Sequence, residues 1–184
     1  MGEYTSNREI NKIQDPQARR AVLEQIVNIN ADNNSLTDTI IASFCEKYID
    51  QSLCCVNMNS YADADYILKT IQNFENKCFL LINTALKRES VGEHWLVYDT
   101  IKKDFFDGKG RKPSHYKKGG VWAIPAVTYN SIRYQSNNST SCGHLCCAYM
   151  YSRTNNISIE KIVGQKTPTT ESEREEFDKG CMAW

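Results

Sequence analysis

The chain has 184 residues, and its 22 Lys and Arg are balanced by 22 Asp and Glu. This length suits one domain with its own core and is short for two, so we expect a single domain over 1–184. The neutral balance does not demand a nucleic-acid or anionic-membrane partner. No apolar run approaches the roughly 20 residues that span a bilayer, and the start "MGEYTSNREI" lacks a signal-peptide core. We therefore expect an intracellular protein that is neither secreted nor bound to a membrane.

The chain carries eight cysteines. Several lie on apolar helix or strand patterns, which favours buried, reduced thiols over a disulfide framework. The eight are Cys45, Cys54, Cys55, Cys78, Cys142, Cys146, Cys147 and Cys181.

Helical patterns come first along the chain. An Asp-Pro start followed by a helical apolar face predicts a helix over 15–27. The segment "SLTDTIIASFCEKYI", at 35–49, has a capping signal and an apolar stripe of the same kind. A third helix is predicted over 60–74, capped by Ser60 and Asp63.

Strand patterns follow these helices. Four apolar or alternating runs predict strands. They are "CFLLIN" at 78–83, "HWLVYD" at 94–99, "DFFD" at 104–107 and "TYNSIRYQ" at 128–135. A buried helix is predicted from Cys142, a short helix after Arg153, and an acidic, peripheral helix near the C-terminus. Helices, then strands, then a helix packed on them predict an α+β domain with a central mixed or antiparallel sheet.

Cys142 lies where the polar loop "QSNNSTS" meets this buried helix. A cysteine at the first position of a helix faces free backbone N–H groups and the positive end of the helix dipole, and both favour the thiolate. Gly143 beside it leaves room for a substrate backbone. Cys146 and Cys147 lie a turn further in, where we expect them to pack in the core.

A thiolate nucleophile needs a base, and the chain has three histidines. His144 is two residues beyond Cys142 on the same helix and points away from the sulfur. His115 lies in the basic segment "RKPSHYKK", where we expect an exposed residue with no ordered element to hold it. His94 starts a predicted strand at a sheet edge, and Trp95 next to it is placed to wall a site. His94 is therefore the candidate base.

An imidazole base needs a group to orient it, and the reaction needs a donor for the oxyanion. Asp107 ends the strand after a tight turn and is placed to lie beside His94 across a hairpin. Asp99 is the other candidate acid, but its odd spacing from His94 sends its side chain to the opposite face. Gln135, at the end of the predicted strand before the Cys142 loop, is a candidate oxyanion donor together with the Cys142 backbone N–H.

The segments "GEHW", "FFDGKG" and "QSNNSTSCGHLCC" resemble the adenovirus-protease-like cysteine peptidases, which are related to SUMO and ubiquitin-like-protein proteases. The resemblance covers roughly 35–153. It implies His94 as base, Asp107 as acid, Gln135 as oxyanion donor and Cys142 as nucleophile. In "FFDGKG" a glycine follows the acid where the family commonly has serine.

The resemblance implies a protease that cleaves viral structural precursors during particle maturation, after small residues such as glycine. The adenovirus enzyme depends on DNA and a peptide activator, so the resemblance also implies these two cofactors, whereas the residues themselves require none. The basic segment Lys102–Lys118 is the one local candidate for DNA, and a solvated loop is its alternative interpretation.

Two other functions stay open at this point. An isopeptidase acting on ubiquitin-like modifiers would use the same chemistry on a folded partner. The second alternative is a non-catalytic protein that binds zinc or nucleic acid. A zinc site would use Cys142, His144 and Cys146 as ligands, but their spacing on a helix turns the imidazole away from both thiols.

Overall fold

The computed structural model describes residues 36, 38–50, 55–59, 62–74, 78–86 and 94–182. The helix predicted over 15–27 and the capping residues Ser35 and Ser60 lie outside this part of the chain.

Five helices and five strands form the described structure. The helices are α1 (Asp38–Tyr48), α2 (Ala64–Phe74), α3 (Cys142–Asn155), α4 (Ile159–Val163) and α5 (Glu171–Met182). The strands are β1 (Cys55–Asn59), β2 (Cys78–Asn83), β3 (Trp95–Asp99), β4 (Asp104–Phe106) and β5 (Thr128–Tyr129). Two short 3-10 turns cover Pro113–His115 and Val121–Ala123.

The strands form one mixed sheet in the order β1-β2-β3-β4-β5. The outer pairs, β1 with β2 and β4 with β5, are parallel, and the central pairs are antiparallel. The predicted α+β class with a central mixed sheet is thereby confirmed. The strand β1 was not predicted, because its sequence "CVNMN" mixes polar and apolar residues without a clear period.

Both faces of the sheet are buried. The face of Trp95 and Val97 packs against α3 together with residues of α1, α4 and α5. The opposite face, which carries Leu96 and Tyr98, packs against α2 and the second 3-10 turn. All five residues of β3 are therefore buried, which explains the apolar run Trp95–Tyr98 that precedes Asp99.

Two predicted elements differ in the structure. The strand predicted over 128–135 ends at Tyr129, because the Asn130 amide donates to the carbonyls of Asp107 (3.1 Å) and Ile132 (2.7 Å) and turns the chain. The C-terminal helix is not peripheral, since Phe177 is fully buried in the core on the α3 side of the sheet. Glu173, Glu175 and Glu176 lie on its exposed face, whereas Asp178 is buried.

The cysteines whose side chains are described are buried and free of disulfides, as predicted. They are Cys45, Cys142, Cys146, Cys147 and Cys181. In the described part of the chain, no helix combines the length and apolar character needed to cross a membrane.

Candidate active site

The site begins at the open end of the β3–β4 hairpin, where His94 precedes β3. Its carbonyl accepts the backbone N–H of Thr84 at 2.8 Å, which ties the residue to the end of β2. Its Nε2 lies 2.7 Å from Oδ1 of Asp107, which follows β4 on the neighbouring strand. The predicted juxtaposition of base and acid across the hairpin is therefore present.

Asp107 is fully buried, and three donors surround its carboxylate. Oδ1 accepts the backbone N–H of Lys109 at 2.8 Å as well as the imidazole, and Oδ2 accepts the hydroxyl of Tyr116. Burial raises the pKa of Asp107, but the bond and charge of His94, helped by the Tyr116 hydroxyl, hold this pKa below its ordinary value. The acid is therefore ionised and held in a single orientation.

Cys142 completes the chain of contacts from the first position of α3. Its thiol interacts with His94 through hydrogen bonding and charge, and with the backbone of Trp95 and Gly143. Because Nε2 of the imidazole is bonded to Asp107, Nδ1 is the ring nitrogen left for the sulfur.

The charges of the two groups depend on each other. Burial lowers the pKa of His94, but the bonds and charges of Asp107 and Cys142 outweigh it and raise this pKa to about 9. Burial raises the pKa of Cys142, yet His94 and the two backbone contacts keep it below its ordinary value. The arrangement therefore favours the thiolate–imidazolium form of the pair over the neutral form.

The other described thiols on α3 lack this setting. Burial, with charge from neighbouring groups, raises the pKa of Cys146 and of Cys147 well above the ordinary value. These two cysteines belong to the core, as predicted from their place one turn into the helix.

The remaining histidines lie apart from this ion pair. His144 is 3 % exposed, its Nδ1 has no hydrogen-bond partner, and burial lowers its pKa to about 4, so it is neutral. His115 is exposed, as predicted, but it ends a 3-10 turn and packs edge-on against Tyr116 at 5.3 Å, so the expectation of no ordered element is wrong.

Gln135 is 1 % exposed and lies in an irregular segment, not at the end of a strand as predicted. Its backbone N–H donates to the carbonyl of Gly108 at 2.8 Å, which ties it to the residue after Asp107. Its Nε2 donates to the carbonyl of Ser139 at 2.8 Å, while its Oε1 is buried without a hydrogen-bond partner. The amide is therefore held inside the loop that precedes Cys142.

Two glycines lie in close packing around the site. A Cβ on Gly108 would lie 2.7 Å from Cδ1 of Leu145, at the flexible end of that side chain, so Leu145 would have to shift to admit a side chain here. A Cβ on Gly143 would lie 2.9 Å from Cβ of Leu36, so this glycine accommodates Leu36. The predicted contact of Gly143 with a substrate backbone stays a prediction.

Trp95 is 6 % exposed, and its indole N–H donates to the carbonyl of Leu36 at 3.0 Å. The residue supports the site from within the core and contacts the Cys142 thiol through its backbone. Its predicted role as a wall of the substrate channel is untested.

Sequence reasoning missed the residues that hold the Cys142 loop. Asp178 of α5 accepts the backbone N–H of Ser136 at 2.9 Å and the hydroxyl of Ser141 at 2.5 Å, so one buried carboxylate joins both ends of the loop. Glu171 accepts the backbone N–H of Asn137 at 2.5 Å. Tyr116 was missed as well, since nothing local in "HYKK" marks it as a partner of Asp107.

Within the described residues, no group of three or more His, Cys, Asp or Glu is arranged to hold a metal ion. No protein-family model matches the chain, and no curated protein matches it. The likeness to adenovirus-type proteases thus stays a prediction from the motif residues.

Proposed function

We propose that the protein is a cysteine endopeptidase in which Cys142 is the nucleophile, His94 the general base and acid, and Asp107 the residue that orients His94. One observation carries this proposal: a buried carboxylate bonds an imidazole at 2.7 Å, and that imidazole interacts with a thiol whose pKa is lowered. Carboxylate, imidazole and thiol in this order are the arrangement that activates a sulfur nucleophile.

The proposed reaction proceeds in two steps. The Cys142 thiolate attacks the carbonyl carbon, and collapse of the tetrahedral intermediate breaks the C–N bond as His94 gives its proton to the leaving amine. A water molecule then attacks the thioester carbonyl while His94 takes a proton from it, and breakage of the C–S bond releases the carboxylic acid and restores the Cys142 thiolate beside the protonated His94. Asp107 keeps the ring in place and stabilises the imidazolium in both steps.

The backbone N–H of Cys142 is one of the first-turn donors that have no acceptor within the helix, so it is available to an oxyanion. Gln135 is the second proposed donor, because an amide N–H can share a substrate oxygen with that backbone group. Its buried position beside Gly108 and its bond to Ser139 limit the directions it can take.

The motif resemblance favours precursors of viral structural proteins as substrates, processed inside the cell or the virion. An isopeptidase acting on ubiquitin-like modifiers is the alternative, since it would use the same residues. Incubation with virion precursors and with ubiquitin or SUMO conjugates, followed by gel electrophoresis, separates the two. Cleavage of the conjugates alone would overturn the assignment of substrate.

We expect a strong preference for glycine before the scissile bond, because the channel that the motif resemblance implies between the His94–Trp95 strand and Cys142 would admit little more than a backbone. A channel that strains a larger side chain by about 3 kcal/mol lowers its rate by more than about 10²-fold. A peptide library with Gly, Ala, Leu and Phe at this position measures the ratio. Comparable rates for Gly and Leu would contradict the narrow channel.

The decisive experiment is mass-spectrometric mapping of a peptidyl vinyl-sulfone adduct on the folded protein. Cys142 should be modified before any other cysteine, and Cys142→Ala should abolish both labelling and peptide cleavage. Cys146→Ser is the matched control, since it removes a thiol one turn away and should leave labelling of Cys142 in place. Equal labelling of several cysteines in the folded protein would overturn the proposal.

A further inference from the structure

A cavity of about 430 Å³ opens beside His94. One of its walls is the segment between β4 and the second 3-10 turn, which also supplies Tyr116. Most of its polar lining is basic: His94, Lys109, Arg111, His115, Lys117 and Lys118.

The described lining of this cavity does not cancel its positive charge. No acidic residue lines it within the described part of the chain. Asp107 bonds the lining residues His94 and Tyr116, but it is fully buried and does not itself line the cavity. Lys109, Arg111 and Lys117 form no ion pair with a described residue.

His94 lines this cavity and Cys142 does not, so the cavity lies on the imidazole side of the reacting pair. In the proposed reaction the imidazole gives its proton to the leaving amine, which places the segment after the scissile bond on that side. We infer, on the premise of the proposed peptidase activity, that this cavity binds an aspartate or glutamate among the first residues after the scissile bond.

An acidic peptide fits these features better than DNA does. The site is a concave cavity next to the reacting imidazole, whereas the chain as a whole carries 22 positive and 22 negative residues and offers no net charge to a polyanion. The four Lys and Arg side chains around this cavity instead suit one or two carboxylates, which they would bind through charge-assisted hydrogen bonds.

The test uses fluorogenic peptides with glycine before the scissile bond and Glu, Gln or Lys at each of the three following positions. The full-length protein should cleave the best Glu peptide with a kcat/KM about tenfold above its Gln counterpart and further above the Lys one. The preference should shrink between about 0.05 and 0.5 M salt, because screening weakens exposed charge interactions.

Lys117→Glu is the informative variant, since this exposed lysine lines the cavity and contacts no residue of the proposed triad. It should reduce the Glu-to-Lys ratio of kcat/KM values at least fivefold, both values being measured on the same variant. Lys102→Glu is the matched control, because it makes the same charge change in an exposed turn away from the cavity, and it should leave the ratio unchanged.

Equal rates for the Glu, Gln and Lys peptides would overturn this inference and leave the peptidase proposal standing. If the protein preferred acidic residues only at positions before the glycine, the assignment of the cavity to residues after the scissile bond would be wrong. Competition by short duplex DNA that disappears in Lys117→Glu would assign the cavity to nucleic acid instead. Absence of both peptide cleavage and vinyl-sulfone labelling would overturn the peptidase proposal, and this inference with it.

Discussion

The two ends of the β3–β4 hairpin each hold a buried aspartate, but the partners of the two carboxylates differ. At the closed end, Asp99 is 3 % exposed and accepts the backbone N–H groups of Ile101 (2.9 Å) and Lys102 (3.0 Å), with Arg153 at 3.5 Å. At the open end, Asp107 bonds His94 at 2.7 Å.

The comparison shows that burial of a carboxylate does not by itself mark an active site. Arg153 is permanently charged and cannot pass a proton on, so the hydrogen bonds of Asp99 stabilise a turn. His94 exchanges protons and has a second ring nitrogen, so the network of Asp107 continues to Cys142. In the proposed peptidase, a titratable partner is what separates the carboxylate assigned to catalysis from the structural one.

The largest expected difference concerns the side-chain partners of the two aspartates. His94→Ala should lower kcat/KM by about 10⁴-fold or more, because both the thiolate and the acid for the leaving amine are lost. Arg153→Ala should change kcat/KM by less than about threefold and lower the stability by about 1 kcal/mol. Peptide cleavage and thermal melting measure the two effects. Equal losses of activity in both variants would contradict the assignment of catalysis to the open end of the hairpin alone.

The second largest difference in turnover is expected between variants of the two aspartates themselves. Asp107→Asn should lower turnover by about 10²-fold with Cys142 still labelled, because the imidazole loses its charged partner. Asp99→Asn should leave turnover within about threefold and cost about 1–2 kcal/mol of stability. If Asp99→Asn were the more damaging to turnover, the catalytic carboxylate would be at the other end of the hairpin.

The pH dependence of kcat/KM should also differ between variants at the two ends of the hairpin. Activity should require the ionised Cys142 and the protonated His94, so it should rise as the thiol ionises and fall as the imidazolium, with its pKa raised to about 9, loses its proton. Asp107→Asn removes a cause of the raised pKa and should move the alkaline limb of kcat/KM to lower pH. Asp99→Asn should not move it, and an equal shift in both variants would contradict the assignment.

The smallest expected effect concerns the phenol at each end. Tyr116→Phe removes a hydroxyl donor from Asp107 and should lower kcat about three- to tenfold with little change in KM. Tyr149→Phe is the matched change at the closed end, where the hydroxyl donates to Asp104 at 2.7 Å, and it should affect stability alone. A larger loss of kcat in Tyr149→Phe would show that the closed end takes part in catalysis.

Most of the secondary structure and part of the site could be predicted from the sequence. The apolar runs of β2 and β3 were recognisable because strands buried on both faces carry few polar residues. The hairpin that brings His94 to Asp107 was predictable because its turn is local in sequence. The early end of β5 was not, because the side chain of Asn130 bonds the backbone of Asp107 on another strand.

The sequence by itself determined the α+β class, the hairpin, and the place of Cys142 at the start of a buried helix, since these depend on local patterns and helix-end chemistry. Only the tertiary structure decided that Tyr116 bonds Asp107 and that Asp178 joins both ends of the Cys142 loop. Asp178 lies 37 residues from Ser141 along the chain, and no local pattern records a contact of that separation. The pKa values of His94 and Cys142 likewise depend on burial and on partners from separate elements, which only the packed molecule brings together.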